Sequence, residues 1–190
     1  MPYYDDNHTW PSGMEIDILE FMRPPFPVTA TIHYGVEGND TPDDSSWNYN
    51  NNEDLSSSPA QQIDDNYHNY GFEWNISDTR ATLTWYFDGQ PYYQVDMHKN
   101  GDNYSAMMRD LQGGNESQLF CQPWTNRCPS NYGVSLPKAA YDSFKHGFDS
   151  GYYLILNMAV GGNGVSPTPN PNHFPTTEMK ISKVSRYVIQ

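Results

Sequence analysis

Basic residues are scarce in this chain. Ten Lys and Arg stand against 23 Asp and Glu, a net charge of −13. Such a balance argues against nucleic acid or an anionic membrane surface as partner, because both repel an acidic protein. No stretch approaches the ~20 apolar residues of a membrane span. The opening MPYYDDNHTW has neither the basic start nor the apolar run of a secretory leader. Extended segments with a 3.6-residue apolar period are missing as well, so almost no helix is expected. Cysteine is limited to Cys121 and Cys128, which frame CQPWTNRC in a polar stretch. Two thiols are too few for a metal site. In an extracellular setting they suggest a local disulfide, with two free thiols as the alternative. Charged residues as a whole reach only 17%, below the ~25% of an average globular chain.

What fills the gap is polar, uncharged and ring-rich: aromatics make up 15%. That surface suits a neutral polar ligand such as a sugar. Asn-x-Ser/Thr sequons stand at Asn7, Asn39, Asn75, Asn103 and Asn115, and their clustering favours a secreted protein. A secretory body without a leader suggests that the natural N-terminus lies upstream. The 190 residues suffice for one domain with a real core.

Fifteen prolines and fourteen glycines are spread throughout, and short period-two segments recur between them. Strands are expected at 14–22, 28–35, 69–76, 80–87, 91–97, 151–160 and 178–189. The Asp-Gly of FDGQP, 87–91, marks a tight hairpin between two of them. Residues 39–66, 98–135 and 166–175 are expected to be long loops. This pattern predicts an all-β sandwich or jelly roll.

Alternation assigns faces. Leu83, Trp85 and Phe87 share one side of their strand, and Trp85 is expected in the core rather than as a ligand platform. Leu154, Leu156, Met158 and Val160 form an apolar face, opposite Asn157, Ala159 and Gly161. Thr29, Thr31 and His33 oppose Val28, Ala30, Ile32 and Tyr34.

Within GMEIDILEFM, 13–22, three acids interrupt a strand that otherwise belongs to a core. Glu15 and Asp17 fall on one face, opposite Ile16 and Ile18. Strict alternation would turn Glu20 inward and Phe21 outward. A one-residue β-bulge near Leu19 repairs both faults and gathers the three acids on one side. Crowded carboxylates push one another's pKa values apart, the condition glycoside hydrolysis needs. A solvated acidic face or a calcium site are the plainer alternatives on spacing alone.

WPSGMEIDILE, 10–20, resembles the active-site signature W-P-x-x-G-E-I-D-I-x-E of glycoside hydrolase family 16, in its laminarinase-like β-glucanase branch. TIHYG (31–35), YHNYGFEW (67–74), WYFDGQPY (85–92), YYLILNMAVGGN (152–163) and FPTTEMKISKVSRYV (174–188) follow in the family's order. The resemblance implies a jelly-roll, concanavalin A-like β-sandwich whose concave sheet forms an open cleft. It implies a single catalytic domain over 1–190 that lacks the family's N-terminal strands. It also implies a monomeric, secreted retaining endo-hydrolase of β-1,3- or mixed β-1,3-1,4-glucan that needs no cofactor. Glu15 is then the nucleophile, Glu20 the acid/base, and Asp17 the residue that tunes the nucleophile. Trp10 and His33 line the cleft, and Asn157 and Trp124 are further substrate contacts. A non-catalytic glucan-binding module or inactive fragment on the same scaffold is the alternative. So is an agarase, carrageenase or transglycosylase relative. Three departures are expected to matter, the missing N-terminal strands being the largest. Met14 stands where the family has Gly or another small residue. Ser182 replaces an Asp that commonly helps bind calcium, so no metal is expected.

Overall fold

The computed structural model describes residues 13–20, 29–35, 46–50, 66–111, 116–118, 136–158 and 179–188. Among these residues, eight strands form two antiparallel sheets. The first sheet holds β1 (Glu15–Glu20), β2 (Thr29–Gly35) and β3 (Ser46–Asn50), in that order. The second is a meander of β4 (Tyr70–Ile76), β5 (Arg80–Phe87), β6 (Gln90–Asn100), β7 (Asn103–Asp110) and β8 (Glu116–Gln118). A helix, α1 (Leu136–Ser150), packs against β2, β6 and β7. The architecture is all-β, as the alternation predicts.

Period two sorts the second sheet as expected. Ala81, Leu83, Trp85 and Phe87 of β5 are buried beside Tyr93, Val95 and Met97 of β6 and Ala106 and Met108 of β7. Ala30, Ile32 and Tyr34 of β2 reach the same core, with Ile16 of β1 packed against it. Side chains of this size are worth about 1.5–3 kcal/mol each when fully buried, so this shared core ties the two sheets together. The outward face of the second sheet is polar. There Asp96, buried among its neighbours, accepts from Arg80 Nε at 2.8 Å and from Arg109 Nη1 at 2.8 Å.

Asp88 and Gly89 form the two-residue turn between β5 and β6, with φ of 48° and 78°. Two positive φ values in a row match the twist of a hairpin, and Asp and Gly are the residues that tolerate them. Asp88 also accepts from the Asn69 backbone N–H at 2.8 Å, fastening the turn to the start of β4.

Several expected elements differ. β3 lies within 39–66, and β7 and β8 within 98–135, both expected to be loops. The faces explain the miss for β7: in NYSAMMRD only Ala106 and Met108 are buried, and the other described side chains are at least partly exposed. α1 is a correction to the near-absence of helix. Its buried Ala140, Tyr141 and Phe144 follow 3.6-residue spacing, and Lys138–Asp142 and Lys145–Asp149 pair at i,i+4. Conversely, no strand forms over 151–158, where Tyr152 alone makes an isolated bridge, or over 179–188. Leu154, Leu156 and Met158 are about half exposed, so the apolar face expected there is not buried.

Candidate active site

β1 and β2 position the acids. In their antiparallel ladder Glu15 faces His33, Ile16 faces Ile32, and Asp17 faces Thr31. Then the register slips: Glu20 faces Thr29, so three steps on β1 match two on β2. This is the single-residue bulge that the acid spacing predicts. It turns Glu20 back to the side of Asp17, while Leu19, carried past on the bulge, is left 40% exposed.

Side-chain bonds fix the group. Thr31 donates from its hydroxyl to Glu20 Oε2 at 2.9 Å. His33, the ladder partner of Glu15, reaches diagonally to Asp17, with Nε2 3.1 Å from Oδ2. Their side chains are only 16% and 19% exposed, so the contact is partly shielded from water. Glu20 is exposed overall, but partial burial of its carboxyl raises its pKa above the ordinary value, and the nearby negative charge of Asp17 adds to the rise. The bond from Thr31 opposes it. A carboxyl in this position holds its proton to higher pH than a solvated glutamate.

One donor atom each from Asp17, Glu20 and His33 lie within 4.8 Å of one another, close enough to bracket a small cation. Both carboxylates already have a protein partner, Asp17 in His33 and Glu20 in Thr31. The raised pKa of Glu20 also suits the group to proton transfer.

Two further features frame the doorway to β1. Met14 has φ of 60° and a fully buried side chain. That is the left-handed region, where a Cβ is penalised and Gly is at ease. The position at which the resemblance expects a small residue is thus one whose backbone favours glycine. Just before it, the Gly13 carbonyl accepts from the Tyr152 hydroxyl at 3.1 Å.

Of the other expected site residues, Asn157 is exposed in the irregular segment 151–158. Trp10, Trp124 and the Cys121–Cys128 pair lie outside the described residues. Thr31 is a site residue that the sequence reading placed on the correct face without assigning it a task. Its partner could have been inferred from the bulge, which slides Glu20 toward the residue opposite Asp17.

Comparison with curated proteins finds two relatives. "Glucan endo-1,3-beta-glucosidase A1" of Niallia circulans is 29% identical over 183 residues, 94% of this chain and 20% of that protein. "Glucan endo-1,3-beta-glucosidase" of Cryptopygus antarcticus is 22% identical over 164 residues, 86% of this chain and 43% of that protein. The chain thus spans less than half the length of either relative. No protein-family model matches, and no solved structure matches significantly. Among the described residues no helix is long and apolar enough to cross a membrane.

Proposed function

We propose that the chain carries the catalytic face of a retaining endo-β-1,3-glucanase of the glycoside hydrolase family 16 type, acting on a secreted protein's polysaccharide substrate. The observation that carries this reading is the register slip between Asp17 and Glu20, which sets a proton-holding carboxyl beside the other acids. The names of both relatives point to the same substrate class.

In the proposed mechanism the Glu15 carboxylate attacks the anomeric carbon. As the glycosidic C–O bond breaks, Glu20 passes its proton to the leaving oxygen. A glycosyl–Glu15 ester results. Glu20, now ionised, takes a proton from water, and the hydroxyl adds to the anomeric carbon and frees Glu15. Two inversions give net retention, and a separation of about 5–5.5 Å between the two carboxyl groups is the geometry it requires. Asp17 lies beside Glu20, and its negative charge helps Glu20 stay protonated until the leaving group needs it. Its position two residues from Glu15 on the same face also suits it to orient the nucleophile.

Reducing-sugar release from laminarin tests the assignment. Glu15→Ala is expected to abolish release while laminarin binding persists. Equal activity in the variant would remove Glu15 from the nucleophile role. Parallel assays on lichenan, agarose and carrageenan fix the linkage, with laminarin expected to be the best substrate.

A further inference from the structure

A hydrogen bond reaches the start of the β1 bulge from the second sheet. Bulges disrupt ladder pairing and leave backbone groups in need of other partners. Asp17 is the last residue in register before the slip, and its carbonyl accepts a hydrogen bond from the Trp85 indole Nε1 at 3.0 Å. Trp85 is fully buried on β5 and lies 68 positions away in sequence. Its ring is clamped on two sides, by Phe72 at 4.9 Å and Tyr93 at 5.2 Å between centroids. The hairpin adds a second irregularity at the same point. Trp85 faces Tyr93, but Tyr86 faces Pro91, so an extra residue of β6 lies beside the indole. A buried indole N–H needs an acceptor, and this one finds it at the bulge.

We propose that Trp85 is a positioning residue that holds the β1 bulge, and with it the aim of Glu20, through its bond to the Asp17 carbonyl. The core ring fixes a backbone oxygen, and that oxygen fixes where the strand steps out of register. Without the donor, the part-buried carbonyl favours a register in which it is paired. A one-residue slip sends side chains to the opposite face, and Glu20 is the side chain that would leave.

This inference rests on Glu20 being the acid/base, so its test separates acid catalysis from the rest. Trp85→Phe keeps an aromatic ring and removes the N–H. Two substrates are compared by kcat/KM, which reports on glycosylation. Laminarin needs a proton for its leaving oxygen; 2,4-dinitrophenyl β-laminaribioside does not. A displaced Glu20 is expected to lower kcat/KM on laminarin by about a hundredfold, the scale of a 1 Å misplacement. The loss on the aryl glycoside is expected to be far smaller. Amide hydrogen exchange at residues 18–20 is measured alongside and is expected to quicken in the variant. Equal losses on both substrates, or no loss on either, would overturn the proposal. If the unaltered protein cleaves neither substrate, the glucanase reading fails and the exchange rates alone decide. Faster exchange at 18–20 then upholds the tether and unchanged exchange refutes it. Should Trp85→Phe not fold, 3-benzothienylalanine at position 85 preserves the indole shape without the N–H, and the same readings apply.

Discussion

Thr31 faces Asp17 in the ladder, yet its hydroxyl donates to Glu20, three residues farther along β1. Only a strand that has slipped by one residue brings those two groups to 2.9 Å. The bond stabilises the ionised form of Glu20 and so works against the burial that raises its pKa. Thr31→Val keeps the shape and removes the donor, so the pKa of Glu20 is expected to rise further. In the proposed mechanism an acid must be protonated, and activity falls as pH climbs through its pKa. The alkaline limb of the kcat/KM profile on laminarin is therefore expected to move to higher pH in Thr31→Val. A shift to lower pH would contradict the role of the bond.

Met14 sets two effects against each other. Its left-handed backbone costs about 1–2 kcal/mol for a residue with a Cβ. Its buried side chain is worth about 2–5 kcal/mol against truncation. Packing outweighs strain at the middle of these ranges, so Met14→Gly is expected to destabilise by about 2 kcal/mol. Glycine adopts the same φ freely, so the direction in which the chain enters Glu15 is preserved. Urea denaturation gives the sign, and a more stable variant would show that the thioether contributes little to the core.

Asp96 predicts an acid-sensitive step in stability. Burial pushes its carboxyl up, but bonds from Arg80, Arg109 and His98 more than offset this and hold the pKa at about 2. Because the folded value lies below the unfolded one, the stabilisation is complete above the ordinary carboxylate range. It is lost as pH falls from about 4 toward 2, and is on the order of 2 kcal/mol. Asp96→Asn should unfold with a shallower pH dependence over that window. An unchanged slope would place the acid sensitivity elsewhere.

Gly147 is where α1 meets the start of β1. A Cβ there would lie 2.2 Å from the Gly13 carbonyl oxygen and 2.3 Å from the Tyr152 hydroxyl. Alanine favours a helix over glycine by about 1 kcal/mol, but a backbone oxygen cannot swing aside. Gly147→Ala is expected to destabilise by about 1–3 kcal/mol, the usual cost of overpacking, with thermal unfolding as the measure. A stabilised variant would mean that the helix can back away without loss.

Much of the site was legible in the sequence because its logic is local. The spacing of Glu15, Asp17 and Glu20 conflicts with period two, and a bulge is the cheapest resolution. The β2 faces, the β5 core face and the Asp-Gly hairpin follow from alternation and turn chemistry alone. β7 escaped notice because two buried side chains, Ala106 and Met108, suffice for a strand with one polar face. α1 escaped because Gly147 interrupts its pattern, and only the packing against Gly13 reveals why a glycine is there. The bond from Trp85 to Asp17 carries no local signal, since donor and acceptor are 68 residues apart and the acceptor is backbone.

Glu20→Ala assayed on 2,4-dinitrophenyl β-laminaribioside in the presence of azide tests the paired-carboxylate chemistry most directly. The aryl group departs without a proton, so the glycosyl–Glu15 ester still forms. Azide needs no general base, so it replaces water at the anomeric carbon and releases Glu15. The expected product is the β-glycosyl azide, with turnover restored as azide concentration rises. An α-glycosyl azide, or a variant that azide fails to revive, would contradict the assignment of Glu20 as acid/base opposite Glu15.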